Sequence, residues 1–182
     1  MSERIDQILD VAEAMARTGG YRGFSFREIA KQVGIKSASI HYHFPDKEAL
    51  GVALANRYTE RFLIGLGDPE SLADDPGAAI DRLVQAYRRS LTEDQLMCLC
   101  GLFGAEIGDL PPRVQDETKL FFQRTLAWLQ NALGPTAPAV GPNREAQAYH
   151  ILATLEGALI LARSLNDLAA FDAAIAGLNR YS

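Results

Sequence analysis

Residues 24–50 read FSFREIAKQVGIKSASIHYHFPDKEAL, a stretch that combines helix-capping residues, a tight turn and a short polar helix. Ser25, followed three residues later by Glu28, forms a capping box, which predicts a helix that begins at Phe26. Gly34 can adopt the left-handed conformation that ends such a helix. The apolar residues between these two signals share one helix face: Ile29, Ala30 and Val33. The pattern therefore predicts the first helix of a helix-turn-helix.

A second short helix is predicted over residues 37–44, directly after the turn. Ile40 and Phe44 lie four residues apart, so both can pack against the preceding helix. The remaining face is polar or aromatic and consists of Ser37, Ala38, Ser39, His41, Tyr42 and His43. Such a face is either an ordinary solvated helix end or a surface that binds another molecule.

A helix that lies in the DNA major groove needs short hydrogen-bonding residues near its N-terminus and donors toward the flanking phosphates. Ser37 and Ser39 suit the first task, whereas Lys36, Tyr42 and Lys47 suit the second. The full set of predicted DNA-binding residues is Ser25, Arg27, Lys36, Ser37, Ala38, Ser39, His41, Tyr42, His43 and Lys47.

The run of residues 34–50 resembles the DNA-binding signature of TetR-family transcriptional regulators. In that signature a glycine turn precedes a short helix that ends in an aromatic cluster. The residues at the family positions are Phe44, Pro45, Lys47, Glu48 and Leu50. Two positions depart from the pattern, since Ala38 replaces the frequent glycine and His41 the frequent tyrosine.

The resemblance implies an all-α homodimer of about nine helices per chain, which binds a palindromic operator in double-stranded DNA. It places an N-terminal three-helix DNA-binding domain at residues 1–46 and a helical effector-binding and dimerisation domain at residues 47–182. Both the dimer and the ligand response are expectations from the family.

The composition is that of an ordinary globular protein, with 48% hydrophobic and 23% charged residues among 182. The longest apolar run, residues 96–105, is far shorter than the ~18 residues of a membrane span. No secretion leader opens the sequence, so we expect a cytoplasmic protein with reduced thiols. The net charge of −5 comes from residues 51–182, while residues 1–50 are neutral. A neutral head can bind DNA if its basic side chains converge on one face.

Capping and periodicity predict the remaining helices. They cover residues 4–18, 47–66, 76–90, 95–107, 112–133, 144–165 and 168–179. The helix that begins at residue 112 has five core candidates: Leu120, Phe121, Leu126, Leu129 and Leu133. Residues 134–143 form the most flexible predicted linker. The last two helices are rich in Ala and Leu on several faces, which fits either a monomer core or a four-helix dimer seam.

Nine residues could line an effector cavity with aromatic walls and few polar groups, which suits a small, mostly apolar ligand. They are Tyr87, Cys98, Leu102, Phe103, Glu106, Phe121, Phe122, Trp128 and His150. A packed core uses the same residue types, and His150 by itself is predicted to be a hydrogen-bonded core residue. His41 and His43 point to different sides of a helix, which argues against a shared metal site.

Two functional hypotheses follow. The first is a DNA-binding repressor released from its operator by the effector. The alternative is a helical small-molecule carrier, or a thiol-based redox or electrophile sensor at Cys98, without DNA binding. No catalytic constellation, metal site or cofactor motif is recognisable, so we expect neither an enzyme nor a bound cofactor.

Overall fold

The computed structural model describes residues 3–134 and 143–181. Every regular element in this part of the chain is helical, which confirms the predicted all-α class. The nine α-helices are α1 (Glu3–Gly19), α2 (Phe26–Val33), α3 (Ser37–His43), α4 (Lys47–Leu66), α5 (Pro76–Arg89), α6 (Leu99–Ala105), α7 (Pro112–Ala132), α8 (Arg144–Leu165) and α9 (Leu168–Ile175). The predicted linker lies, from residue 135 to residue 142, outside the described residues.

Four predicted N-caps are in place, which explains why the helices begin where the sequence predicts. A side-chain oxygen of the capping residue accepts a backbone N–H in the first turn of each helix. The oxygen-to-nitrogen distances are 2.7 Å for Asp46, 3.0 Å for Asp75, 2.8 Å for Asn143 and 2.9 Å for Asp167.

Three local predictions are wrong. α6 begins at Leu99 rather than at residue 95, because Ser90–Asp94 form a π-turn and Gln95 has a left-handed φ of 53°. α9 ends at Ile175 and continues as a 3-10 turn. Leu120 is 37% exposed, since the buried face of α7 runs through Val114, Phe121 and Leu129 instead.

The chain forms two compact units. The first comprises Met1–Glu60 and Leu99–Phe121, and the second comprises Arg61–Cys98 and Phe122–Ser182. Each unit is thus built from two separate stretches of the chain. The predicted functional division after residue 46 concerns DNA and effector binding rather than compactness, and it stays a prediction.

In the first unit, ion pairs accompany the apolar packing of α1 on α4. Arg57 of α4 is buried and lies 2.9 Å from the Asp10 carboxylate and 3.0 Å from the Glu13 carboxylate. Glu13 is also 3.7 Å from the buried Arg17, whose guanidinium lies 5.7 Å from the ring centre of Tyr58. Charged groups therefore join α1 to α4. The buried apolar side chains of the two helices include Ile8, Leu9, Ala12, Leu50 and Leu54.

In the second unit, α8 packs against α5 and α9. The buried side chains at its core include Ile80, Leu83, Tyr87, Ile151, Leu155, Leu159 and Phe171. Trp128 of α7 is buried, and its indole Nε1 donates to the Gly67 carbonyl at 2.7 Å, directly after α4. This hydrogen bond links the segment that follows the C-terminal end of α4 to α7.

An apolar surface is left uncovered on α8 and at the start of α9. Its side chains are Tyr149 (54% exposed), Ile160 (51%), Leu161 (51%), Leu165 (64%) and Leu168 (37%). Ile160, Leu161 and Leu165 lie within two turns of α8, and apolar side chains that cluster at a surface mark interaction sites in soluble proteins. Of the helices described, none combines the length and the apolar character needed to cross a bilayer.

Candidate nucleic-acid interface

Local hydrogen bonds fix the angle between α2 and α3. Ser25 Oγ accepts the Glu28 backbone N–H at 3.3 Å and donates to the Glu28 carboxylate at 2.7 Å. Gly34 ends α2 with a left-handed φ of 75°, and the Ile35 N–H donates to the Ala30 carbonyl at 2.9 Å. This is a Schellman turn, which needs glycine for its positive φ. α3 then begins at Ser37, so the predicted helix-turn-helix is present.

The two faces of α3 differ sharply in exposure. Ile40 is fully buried and Phe44, the C-cap, is 7% exposed, as predicted. On the opposite face Tyr42 is 86% exposed. Of the other predicted contact residues on α3, Ala38, Ser39 and His41 are exposed, while Ser37 and His43 are half-buried. The face predicted to enter a DNA groove is therefore accessible.

The His41 ring is held in one orientation by two contacts. It lies edge-on to Phe26, with 4.6 Å between ring centres, and its Nδ1 is 3.3 Å from the Pro45 carbonyl oxygen. A carbonyl oxygen only accepts, so Nδ1 carries the proton in that bond. In the neutral ring Nε2 is then the acceptor nitrogen.

Ser25 and Lys47, two further predicted contact residues, also have partners within the protein. Ser25 uses its hydroxyl in the capping box. The Lys47 ammonium lies 4.5 Å from the ring centre of Phe24 and 4.8 Å from that of Tyr21, which are cation–π distances. Burial lowers the pKa of Lys47, against the opposing effect of the Glu28 and Glu106 carboxylates. Its role as a phosphate contact stays a prediction.

Glu106 has a role that the sequence analysis missed. It was predicted to line an effector cavity, but its Oε2 accepts the Tyr21 backbone N–H at 2.8 Å. The carboxylate lies against Gly20, where an added Cβ would come within 2.0 Å of Oε1. The only hint in the sequence is an acidic residue inside an apolar run. Close by, Arg22 and Asp109 form an exposed ion pair at 3.1 Å.

Burial and nearby carboxylates also raise the pKa of Tyr21. Its side chain is 9% exposed, and burial, with the charges of Glu48 and Asp46, raises its pKa to about 12. The phenol therefore stays neutral at physiological pH. The Lys47 ammonium therefore lies near a neutral phenol ring rather than a phenolate.

The predicted effector-site residues divide between the two compact units. Leu102, Phe103, Glu106 and Phe121 belong to the first, and Tyr87, Cys98, Phe122, Trp128 and His150 to the second. The prediction that His150 is a core residue is wrong, since its side chain is exposed. Cys98 and Cys100 are free, buried thiols. Among the described residues, no group of three or more His, Cys, Asp and Glu could hold a metal ion.

Residues 8–54, which include α2, the turn and α3, match the family model for bacterial regulatory proteins of the tetR family. A TetR transcriptional regulator from Legionella pneumophila is similar over nearly the whole chain. The match has 32% sequence identity, covers 99% of this chain and 97% of that chain, and has a TM-score of 0.84. The chain belongs to the TetR family.

Two curated HTH-type transcriptional regulators match over shorter regions. An uncharacterised HTH-type transcriptional regulator encoded in the dhlA 5' region of Xanthobacter autotrophicus is 30% identical over 93 residues, 51% of this chain and 43% of that protein. The biofilm operon icaADBC negative transcriptional regulator IcaR of Staphylococcus aureus is 42% identical over 45 residues, 25% of this chain and 24% of its own. The chain thus spans less than half the length of both. TetR-family members are helix-turn-helix transcriptional regulators that bind operator DNA and act as dimers.

Proposed function

We propose that this protein is a transcriptional repressor that binds a palindromic operator as a homodimer and is released by a small, mostly apolar effector. One observation carries the proposal. α3 buries Ile40 and exposes Tyr42, Ser39 and His41 on its other side, within the residues that match the TetR family model. Repression itself is supported by the name of IcaR, which is a negative regulator.

The homodimer is supported by the uncovered apolar surface of α8 and α9. Burying side chains such as Ile160, Leu161 and Leu165 against a second copy removes apolar area from water, at roughly 25 cal/mol per Å². A two-fold symmetric dimer has two α3 helices, one for each half-site of a palindrome.

Release requires that the effector prefer one of two dimer geometries. A ligand shifts such an equilibrium only by its differential affinity for the two states. An effector bound in the helical body would favour the geometry in which the α3 separation no longer matches the half-site spacing. By thermodynamic linkage, the effector lowers the affinity for the operator by the same factor by which the operator lowers the affinity for the effector.

A mobility-shift assay with the DNA upstream of the protein's own gene tests the proposal. We expect retention of that DNA by the wild type and weaker binding by the Tyr42→Ala protein, because the exposed ring and hydroxyl are lost. Tyr42→Phe is the matched control and separates the hydroxyl contact from the ring. Lys36→Ala should lower the slope of log affinity against log salt by about one phosphate contact.

Ile40→Ala is the structural control on the same helix. It removes a buried side chain and should lower the free energy of unfolding by about 2–5 kcal/mol. Tyr42→Ala, at an exposed position, should change it by no more than about 0.5 kcal/mol. If the wild type failed to retain its upstream DNA at low salt, or if Tyr42→Ala bound as well as wild type, the assignment of this face to DNA would be wrong.

A further inference from the structure

The Glu106 side chain anchors the short turn that connects α1 to α2. Its Oε2 accepts the Tyr21 backbone N–H at 2.8 Å, although the two residues are 85 positions apart in the chain. Tyr21 is the first residue of the 3-10 turn Tyr21–Gly23, and the first amides of a helical turn have no partner within it. A residue beyond the helix-turn-helix therefore completes the hydrogen bonding of the turn that leads into it.

The position of this carboxylate is narrowly defined. While Oε2 binds Tyr21, Oε1 lies against Gly20, where an added Cβ would be only 2.0 Å away. A second link joins the same turn to the segment after α6, namely the exposed ion pair of Arg22 with Asp109 at 3.1 Å. Solvent screens that exposed pair, whereas Glu106 is half-buried. The bond from Glu106 is therefore the stronger of the two links.

The Tyr21 ring is packed as closely as its backbone is bonded. It is 9% exposed and lies edge-on to Phe103 of α6, with 5.8 Å between ring centres. On another side it meets Gly51 of α4, where an added Cβ would be 2.8 Å from the ring carbon Cε2. Close packing of this kind leaves few positions for the ring. The bond from Glu106 and the contacts with α4 and α6 therefore fix where the Tyr21 ring lies.

The Lys47 ammonium depends on that ring for its own position. It lies over the rings of Tyr21 and Phe24, 4.8 Å and 4.5 Å from their centres, and the two rings pack edge-on with 5.5 Å between centres. A lysine side chain in water is flexible and samples many positions. Two ring faces hold this one near a single position. A cation–π contact occupies one side of the ammonium, so N–H donors remain for a phosphate.

The charge of Glu106 acts on DNA binding in two opposing ways. Burial lowers the pKa of Lys47, and the carboxylates of Glu28 and Glu106 raise it, so Glu106 favours the protonated ammonium that a phosphate contact needs. The same negative charge repels phosphates. The reach of the Glu106 side chain, rather than its charge, is then the property that positions Lys47.

We propose that Glu106 is a positioning residue for DNA binding, which holds Tyr21 so that the Lys47 ammonium is fixed where it can bind a DNA phosphate. Glu106 lies outside residues 8–54, so a determinant of operator affinity comes from beyond the part of the chain that matches the family model. This inference rests on the proposed function, in which Lys47 is a predicted phosphate contact.

Mobility-shift titrations of the full-length protein with its upstream DNA test the inference, in variants that separate reach from charge. Glu106→Gln keeps an oxygen at the same reach and removes the charge, so it should bind the DNA nearly as tightly as the wild type. Glu106→Asp keeps the charge but is one methylene shorter, and Glu106→Ala lacks the acceptor, so both should bind roughly three- to tenfold more weakly. Asp116→Ala is the matched control, because Asp116 is an exposed acid of α7 in the same unit, and it should bind as the wild type does.

A double-mutant cycle shows whether Glu106 acts through Lys47. In the Lys47→Ala background, Glu106→Asp should cause little further loss of DNA affinity, because the group that it positions is gone. A merely structural role of Glu106 would weaken binding by the same factor in both backgrounds.

Proton NMR reports the position of Lys47 without DNA. The Cε methylene of Lys47 is bonded to an ammonium that lies over two rings, whose ring currents shift nearby protons upfield. We expect this upfield shift in the wild type, in Glu106→Gln and in Asp116→Ala. Glu106→Asp and Glu106→Ala should lose most of it, because the Tyr21 ring is then no longer held in place.

Three results would overturn the inference: unchanged DNA affinity in Glu106→Asp and Glu106→Ala, equal losses in Glu106→Gln and Glu106→Asp, or strict additivity with Lys47→Ala. If Glu106→Ala does not fold, the Gln and Asp variants carry the same comparison. A wild type that retains no upstream DNA would instead remove the proposed function, and the NMR shift would still decide whether Glu106 positions Lys47.

Discussion

The ionisation of Glu156 couples the stability of the fold to pH. Burial raises the pKa of Glu156, in α8, above the ordinary 4.5. Between pH 4.5 and the folded pKa, the folded chain therefore holds a proton that the unfolded chain has released. Stability from this group is therefore present below pH ~4.5 and is lost as pH rises through the folded pKa, by up to ~1.4 kcal/mol per pH unit. The groups that face it from neighbouring elements are Tyr87 and Cys98, and these residue types ordinarily titrate above pH ~8.

Urea denaturation at a series of pH values measures this effect. We expect the free energy of unfolding of the wild type to fall, relative to Glu156→Gln, as pH is raised from about 4.5, since glutamine cannot titrate. Parallel pH profiles for the two proteins would show that the carboxyl ionises in the folded state as it does in water.

Gly20 is a second residue whose surroundings fix its identity. Its φ of 67° and ψ of −163° lie in a region that only glycine adopts readily, and a Cβ there would overlap the Glu106 carboxylate. Gly20→Ala should therefore cost at least about 1–3 kcal/mol of unfolding free energy from backbone strain, plus the cost of displacing Glu106. Chemical denaturation measures the total.

Two further variants separate the strain from the overlap. Gly19→Ala is the matched control, because nothing lies within 4 Å of its Cβ position and it should be neutral or mildly stabilising. Adding Glu106→Ala to Gly20→Ala removes the overlap and not the strain, so the two changes should be less than additive. Strict additivity would show that the carboxylate simply moves aside.

At the level of elements, the contact of α1 with α4 involves one mostly buried and one exposed carboxylate. Both bind Arg57, but Glu13 is 13% exposed and Asp10 is 63% exposed. Glu13→Ala leaves two buried arginines without their shared partner and should cost about 3 kcal/mol. Asp10→Ala removes a solvent-screened partner and should cost no more than about 1 kcal/mol. Urea denaturation of the two variants measures both costs. Equal losses of unfolding free energy would contradict the argument from burial.

The elements that could be predicted from sequence are those with local signals at both ends. α2 and α3 follow from the Ser25 cap, the Gly34 turn and the spacing of Ile40 and Phe44, all of which act within a few residues. The predicted start of α6 is too early because the apolar run from residue 96 continues across a non-helical stretch that follows the π-turn. A periodic apolar run does not show where such a turn interrupts it.

The candidate sites divide in the same way. The exposed face of α3 follows from helical periodicity alone, so the residues on that face could be predicted from the sequence. The roles of Glu106 and Glu156 depend on partners far along the chain, at Tyr21 and Tyr87, and no spacing rule connects such residues. An acidic residue inside an apolar helix is the single local signal that both share.

For the whole molecule, we expect the uncovered surface of α8 and α9 to form the dimer interface. We expect sedimentation equilibrium to give twice the chain mass for the wild type. The double variant Leu161→Glu, Leu165→Glu places charges on that surface, and it should sediment as a monomer and lose most of its operator affinity.

Ile64→Glu is the matched control for that double variant. Ile64 is 76% exposed, but it belongs to α4. A charge there should leave the mass of the assembly unchanged. A dimer that survives the α8 changes, or one that dissociates with Ile64→Glu, would place the interface elsewhere.

The bond from Trp128 to Gly67 gives the protein an optical reporter of its own. The chain contains a single tryptophan, and its buried indole lies in the second unit, so tryptophan emission, excited apart from the tyrosines, reports on that unit. Loss of the indole bond and entry of water would shift the emission to longer wavelength. Comparing that signal with circular dichroism, which detects every helix, would show whether the two units melt together or in sequence without any label being attached.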